Sequence, residues 1–316
     1  MRRLARSLSR RVTSSRLRVL AYHEVNDAAA FRRHLEVLRE NYSVIDGAAA
    51  VASVTSGRSL PDNPVWITFD DGYRSVVTEA LPLLQEFGMP ATLFVNPGTI
   101  ETGDPHWWDL IKAASDVNAE FARYLGLSGS LVELKSVPDS LRRDAVELAR
   151  SVVPPEEISA IARRVADRAC LDDWTRAGMQ VGNHTWDHAC FDMCSPAQQE
   201  NQITQAATWL SDEGYGTSQS VFAYPNGDRT EFAESILTSL GVRGACLFDH
   251  RLVTPTANEL NISRLRISAS APTKRFRAVI SGVHSAAFGA LVRLGLRHRM
   301  PKTTTTHHST ETSTSS

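Results

Sequence analysis

Short apolar runs alternate with amphipathic stretches along most of the chain. Runs at Leu17–Tyr22, Tyr42–Ile45, Val65–Phe69, Ala91–Val95, Met179–Val181, Ser220–Ala223, Arg243–Leu247 and Arg264–Ile267 predict eight short strands. Phe31–Leu38, Ala48–Val54, Val76–Phe87, Pro196–Leu210 and Glu231–Leu240 predict helices between them. In the third of these, Val76, Val77, Ala80, Leu83, Leu84 and Phe87 recur at helical spacing. Ser195 is placed to cap a helix, and Gly178 and Gly241 to end helices. Residues 56–64 are a Gly-, Ser- and Pro-containing loop. Strands separated by helices imply an α/β protein with a parallel sheet or barrel.

Two regions break this rhythm. Residues 104–172 open on His106-Trp107-Trp108-Asp109 and continue as charged helical faces at 139–150 and 156–168. They read as a helical insertion between two strands. The paired tryptophans either pack under a barrel rim or offer a sugar-stacking surface. Beyond the last strand, Lys274–Leu296 is amphipathic, with Phe276, Val279, Ile280, Val283, Ala287 and Leu291 on one side. It either packs on the domain or lies on a membrane surface. Residues 301–316 are mostly Thr, Ser and His with no apolar face, a composition expected of disorder. The expected organisation is a basic tail (1–17), a barrel (18–270) carrying the insertion, an amphipathic helix (271–300) and a disordered tail (301–316).

Composition adjusts this picture in a few places. With 316 residues, 42% of them hydrophobic, the chain can bury one large α/β domain or two small ones. A net charge of −1 gives no overall pull towards nucleic acid. Residues 1–18 nevertheless hold seven arginines and no acid, so the rest carries −1 minus 7, or −8. This start lacks the apolar run of a secretion signal, and no 18-residue apolar stretch marks a membrane span. A cytoplasmic location follows as the expectation. The basic tail, with Leu4, Leu8 and Val12 as a thin apolar stripe, and the C-terminal helix are the candidate peripheral membrane contacts. Four cysteines, Cys170, Cys190, Cys194 and Cys246, are expected as free thiols.

The candidate chemistry gathers where strands end. Thr68-Phe69-Asp70-Asp71-Gly72-Tyr73 puts two carboxylates between a buried strand and a helix. Two carboxylates so close need a cation or a shared proton. They read as a metal ligand beside a general base, or else Asp71 is an acidic helix cap. His184 and His188, four apart, follow another strand, and with Asp71 make an open three-ligand site for zinc or a similar divalent ion. Asp70 would then take a proton from water. A rival set joins His184 and His188 to Cys190 and Cys194 as a closed structural zinc site. His23 and the Tyr224-Pro225-Asn226 turn also follow strands, and in α/β barrels the chemistry collects at that end. There is no Gly-x-Ser-x-Gly elbow and no phosphate-binding Gly-x-x-x-x-Gly-Lys loop.

Thr68–Tyr73 followed by His184-Thr185-Trp186-Asp187-His188 resembles the first two motifs of the polysaccharide deacetylases, the NodB-homology family or carbohydrate esterase family four. The likeness extends over residues 18–270, through Ala21-Tyr22-His23-Glu24-Val25, Pro90–Phe94, Ala177-Gly178-Met179 and Phe222–Gly227. The resemblance implies a distorted (β/α)7-type barrel and metal-dependent removal of N-acetyl groups from an acetamido sugar in a polysaccharide, glycolipid or glycan precursor. It also implies Asp70 as base, Asp71, His184 and His188 as metal ligands, and a backbone N–H from Asn226 facing the oxyanion. The chain departs from the pattern in two places. The arginine that orients the base two residues before the proline is Ala223 here, and Arg264 is the candidate substitute. The late Leu-x-His motif is not evident: His284 falls in the amphipathic stretch, so His23 is the candidate general acid. O-acetyl ester or small-amide hydrolysis at the same site, and a glycan-binding barrel without chemistry, remain as alternatives.

Overall fold

All eight apolar runs form strands, and every strand pair is parallel. The structure is a computed structural model describing residues 13–118, 121, 134–216, 220–253 and 257–282. The readings for residues 1–12 and from 283 onwards, His284 included, lie outside these residues. The strands are β1 (Arg18–Tyr22), β2 (Ser43–Ile45), β3 (Pro64–Phe69), β4 (Ala91–Val95), β5 (Gln180–Asn183), β6 (Val221–Ala223), β7 (Gly244–Cys246) and β8 (Leu265–Arg266). Their order is β7-β6-β5-β4-β3-β1-β8, with β2 paired to the first half of β3. The sheet's two edges meet through Ile262, which bridges Cys246 and accepts from Leu247 N–H at 2.8 Å, three residues before β8. The result is the distorted, parallel α/β barrel expected.

Alternation along the strands separates two apolar cores. Val19, Trp66, Phe94, Val221, Ala223 and Cys246 share one cluster, which fills the barrel. Leu20, Tyr22, Ile67, Phe69, Leu93 and Val95, the neighbours of opposite parity, share another with the surrounding helices. Packing inside is tight enough to demand glycine at 182 in β5. A Cβ there would come within 2.5 Å of the Phe94 ring and 2.9 Å of Val221.

Polar side chains cap several helix starts, at Ser195 as expected. Asp27 caps Ala28–Asn41, Asp46 caps Gly47–Thr55, and Thr230 caps Glu231–Ser239. Ser195 and Gln198 form a reciprocal capping box at the start of Pro196–Asp212. Between β4 and β5 lie helices Trp107–Val117, Asp139–Val152, Pro155–Ala162 and Arg168–Arg176.

Two local expectations are corrected. Residues 76–87 are not one α-helix: Val76–Ala80 is a π-turn, in which Leu81 N–H reaches back to Val76, and the α-helix is Leu81–Phe87. Pro82 has no N–H to continue a regular ladder across this joint. Residues 156–168 are not one helical face either. The helix ends at Ala162, and Val165 instead bridges Tyr73 antiparallel, with Arg74 N–H to Arg164 O at 2.7 Å and Ala166 N–H to Gly72 O at 2.8 Å. This crossing ties the return of the inserted helices to the residues just after Asp71.

Candidate metal centre

Strand register brings the suspect residues to one rim. Tyr22 pairs with Phe69, so His23 and Asp70 leave β1 and β3 side by side. Val95 pairs with Asn183, so His184 leaves β5 beside β4, its N–H on Val95 O at 2.9 Å. Ala223 pairs with Cys246 at the end of β6, just before the Tyr224–Gly227 turn.

The backbone then bends sharply to aim side chains inward. Asp71 (φ 71°), Thr185 (71°), His188 (59°) and Asn226 (56°) all occupy the left-handed region, which non-glycine residues rarely enter. Such conformations persist only where surrounding contacts enforce them. Gly72 (φ 72°) continues the turn after Asp71. Asp71 makes no side-chain cap to the residues that follow, so the helix-cap alternative is not what forms.

Asp71, His184 and His188 converge as buried side chains whose ligating atoms all lie within 4.8 Å of one another. Asp71 Oδ1 is 3.4 Å from His184 Nε2 and 3.6 Å from His188 Nε2. That oxygen is buried and has no hydrogen-bond partner among the described residues. A buried, unpartnered carboxylate oxygen facing two imidazole nitrogens fits a cation held between them. Neither Cys190 nor Cys194 belongs to this group, so the closed four-ligand alternative is not assembled.

The two histidines are fixed differently. His184 Nδ1 donates to Ala223 O at 2.7 Å, which turns Nε2 towards Asp71. Burial pushes the His184 imidazole down, but Asp71 and Asp70 outweigh it and leave a net rise. For His188 burial prevails and holds the ring neutral, well below its usual range. Burial alone would raise the Asp71 carboxyl, and the nearby imidazoles bring it far below the usual carboxylate range.

Asp70, close enough for its charge to act on His184, is gripped by Arg264. The guanidinium donates to both carboxylate oxygens, at 2.6 and 2.8 Å, with both residues buried. Arg264 Nε donates to Leu247 O at 2.8 Å, and its Nη1 to Thr68 Oγ1 at 3.2 Å. The geometry thus fills the gap left by Ala223 from the residue that leads into β8, one strand away from β3. Burial works to raise the Asp70 carboxyl, and the Arg264 charge reverses this to a net lowering.

His23 stands at the open side, one third exposed, its Nε2 4.0 Å from Asp71 Oδ2 and its ring edge-on to Phe248. The Asn226 turn follows directly on Ala223, whose O holds His184 Nδ1. Asn226 Oδ1 accepts from Lys135 at 2.6 Å, and its Nδ2 lies 3.4 Å from Cys190 Sγ.

The structure adds residues that the sequence reading did not single out. Asn96 Nδ2 donates to His184 O at 2.6 Å and Thr185 O at 3.1 Å, clamping the histidine loop from β4. Gly98 lies against the same loop: a Cβ there would sit 2.7 Å from Trp186 O. Asn96-Pro97-Gly98 directly after a strand was the available signal. Of the paired tryptophans one packs in the interior and the other is half-buried beside the centre. Trp107 is buried, and the Trp108 ring stands edge-on to His188 at 4.7 Å between centroids. His106, fully buried and stacked on Trp108, is pushed down to about 4 chiefly by burial.

Comparison with known proteins adds three findings. The family model described as polysaccharide deacetylase matches residues 57–123 and 158–245. His23 and Arg264 lie outside those segments, so their position at the site is a finding of the structure alone. A poly-β-1,6-N-acetyl-D-glucosamine N-deacetylase of Escherichia coli (strain K12) is 37% identical over 84 residues, 23% of this chain and 12% of that protein. A putative polysaccharide deacetylase, YxkH, of Bacillus subtilis (strain 168) is 30% identical over 89 residues, 26% of this chain and 32% of that protein. The chain therefore aligns with only about an eighth to a third of these relatives' lengths. Among solved structures, the Streptococcus pyogenes deacetylase PplD in complex with acetate superposes with a TM-score of 0.61 at 15% identity, covering 85% of this chain and 99% of that one. IcaB from Ammonifex degensii gives 0.57 at 18% identity, covering 84% and 97%. At these identities the two structures speak for the fold.

Proposed function

The chain belongs to the polysaccharide deacetylase family, and from that premise we propose that it removes N-acetyl groups from an acetamido sugar by metal-dependent hydrolysis. The observation that carries the reading is the buried, unpartnered Asp71 oxygen set between His184 and His188. One carboxylate and two imidazoles are a donor set that zinc favours, with coordination left over for water and substrate. When bound there, zinc would polarise the acetyl carbonyl and make a water more acidic.

The chain's own groups take the remaining roles. Asp70, kept ionised and aimed by Arg264, accepts the proton of the attacking water as its oxygen bonds to the carbonyl carbon. The Asn226 backbone N–H, on the turn after Ala223, donates to the oxygen that gains charge. Removing one such donor typically costs about 3–4 kcal/mol of transition-state stabilisation. His23, at the open mouth, gives a proton to the sugar nitrogen as the C–N bond breaks, releasing acetate and a free amine. The acetamido-sugar substrate is supported by the substrate in the name of the E. coli relative.

The test uses the full chain with zinc. His184→Ala is expected to lose both zinc and acetate release. Asp70→Asn is expected to keep zinc at wild-type stoichiometry and lose activity by roughly 10²–10⁴-fold. Elemental analysis and acetate release from N-acetylated against O-acetylated oligosaccharides measure this. Full zinc occupancy together with full activity in His184→Ala would rule the centre out. Release from O-acetyl substrates alone would make the chain an esterase.

A further inference from the structure

The two histidines owe their positions to different parts of the molecule. His184 is held entirely by the barrel: its N–H by β4, its Nδ1 by the last carbonyl of β6, and its own carbonyl by Asn96. His188 has less: its N–H donates to Thr185 Oγ1 at 3.1 Å and its ring meets the edge of His184, but no group of the barrel holds its second ring nitrogen. Its Nδ1 is buried and makes no hydrogen bond among the described residues. A ligating histidine ordinarily fixes its ring by donating the other nitrogen to a carboxylate or carbonyl. Here something else must do so.

Three contacts from the segment between β4 and β5 do. Trp107 Nε1 donates to His188 O at 3.3 Å. The Trp108 ring packs edge-on against the imidazole, steepened to 67° between planes. Trp108 is itself held by its Nε1 on Tyr73 Oη at 2.9 Å and by the parallel His106 ring at 4.5 Å. Asp187, the residue before His188, is gripped by the helix Asp139–Val152. Arg143 Nη1 reaches its Oδ2 at 2.9 Å, and Arg142 its Oδ1 at 3.7 Å. Both arginines also bind Asp139, which with Arg142 is almost wholly buried. The Arg142 guanidinium lies over the Trp107 ring at 5.2 Å, joining the two helices at this point.

We propose that Trp108 and Arg143 are positioning residues for the metal, and that these inserted helices set metal affinity by holding His188 in its left-handed pose, with no hydrogen bond to orient its ring Nδ1. The proposal rests on the reading of Asp71, His184 and His188 as ligands. Losing an outer support of a metal ligand typically costs about 10–100-fold in affinity. The inserted helices are therefore part of the centre rather than a covering over it.

Zinc titration of the full-length protein, followed by calorimetry with chelator competition, tests this. Trp108→Leu and Arg143→Gln are each expected to weaken zinc binding about 10-fold or more, and Trp108→Phe, which restores a ring edge, to recover most of the loss. Lys112→Ala, which removes an exposed ion pair with Asp116 on the same helix as Trp108, is expected to bind as wild type. The proposal is overturned if folded Trp108→Leu and Arg143→Gln match wild-type affinity, or if Lys112→Ala loses as much as they do. Should Trp108→Leu fail to fold, Arg143→Gln decides alone, since that side chain is half exposed and not part of the core. Absence of zinc binding in the wild-type protein would instead overturn the metal centre itself, a distinguishable result.

Discussion

Arg264 and Asp70 show how far a single pair can depend on its setting. Both are buried, joined by two short hydrogen bonds, and the arginine has further acceptors in Leu247 O and Thr68 Oγ1. Removing one partner strands the other charge in an apolar interior, a loss of about 3–5 kcal/mol. Arg264→Met should therefore destabilise the fold by that order, measured by denaturant unfolding. It should also act on the reaction. With the guanidinium gone, burial is left to raise the Asp70 carboxyl, so the acid limb of the kcat/KM profile moves to higher pH. Asp70 is held low in the folded protein, so its contribution to stability is present above its unfolded value of 3.8 and is lost as pH falls below it. Arg264→Lys would not substitute, because an ammonium cannot make the two-pronged bond. An unshifted acid limb in a folded Arg264→Met would separate the arginine from the base.

At the scale of elements, the centre is built from strand ends, and this decides what could be read from the chain alone. Asp70, Asp71, His184 and His188 each follow a short apolar run, so their gathering at one rim was legible from periodicity and the parallel topology it implies. Arg264 was legible as a candidate partner of the base only through the resemblance; its grip on Asp70 depends on β8 pairing with β1 beside β3 and on Leu247 O holding its Nε, which no periodicity reports. The role of Asn96 was only partly legible: Asn96-Pro97-Gly98 marks a turn after a strand, but nothing in the sequence says which carbonyls its amide binds. The helix break at residues 163–167 was hidden for a related reason. It contains neither Gly nor Pro, and the chain turns there because Tyr73 offers Val165 a strand partner. The turn after β4 provides a test of this level. In Gly98→Ala the new Cβ would fall 2.6–2.8 Å from Trp186 atoms, one of them a backbone oxygen. The histidine loop must then shift, at a cost of about 1–3 kcal/mol. The expected outcome is weaker zinc binding with the barrel intact by circular dichroism. Unchanged affinity would show that the loop tolerates displacement.

Across the whole molecule, the barrel is also tied to the helix Thr273–Ile280, which packs against Ala28–Asn41. Arg18, fully buried at the start of β1, donates to Ile280 O at 2.7 Å and to Arg16 O at 2.8 Å. His34 makes a second tie. Its Nε2 is 2.7 Å from Ala271 O, which can only accept, so Nε2 carries the proton and Nδ1 accepts from Tyr22 Oη at 3.3 Å. Phe276 stacks on the ring at 4.1 Å. A second proton would place a buried charge against Phe276 and turn the Tyr22 contact into donor against donor. Burial accordingly lowers the His34 value below its usual 6.5. The sign follows directly. Between the lowered folded value and 6.5 the unfolded chain binds the extra proton, so the His34 contribution is complete above that pH and is lost as pH falls through the window. The loss can reach about 1.4 kcal/mol per pH unit. Unfolding free energies of wild type and His34→Gln, compared from pH 7.5 to 5, isolate it, since the metal-site histidines are common to both. The wild type should lose stability faster on acidification; parallel curves would mean that His34 titrates in the folded protein as it does in the unfolded chain, and that the C-terminal helix is not held by a neutral imidazole.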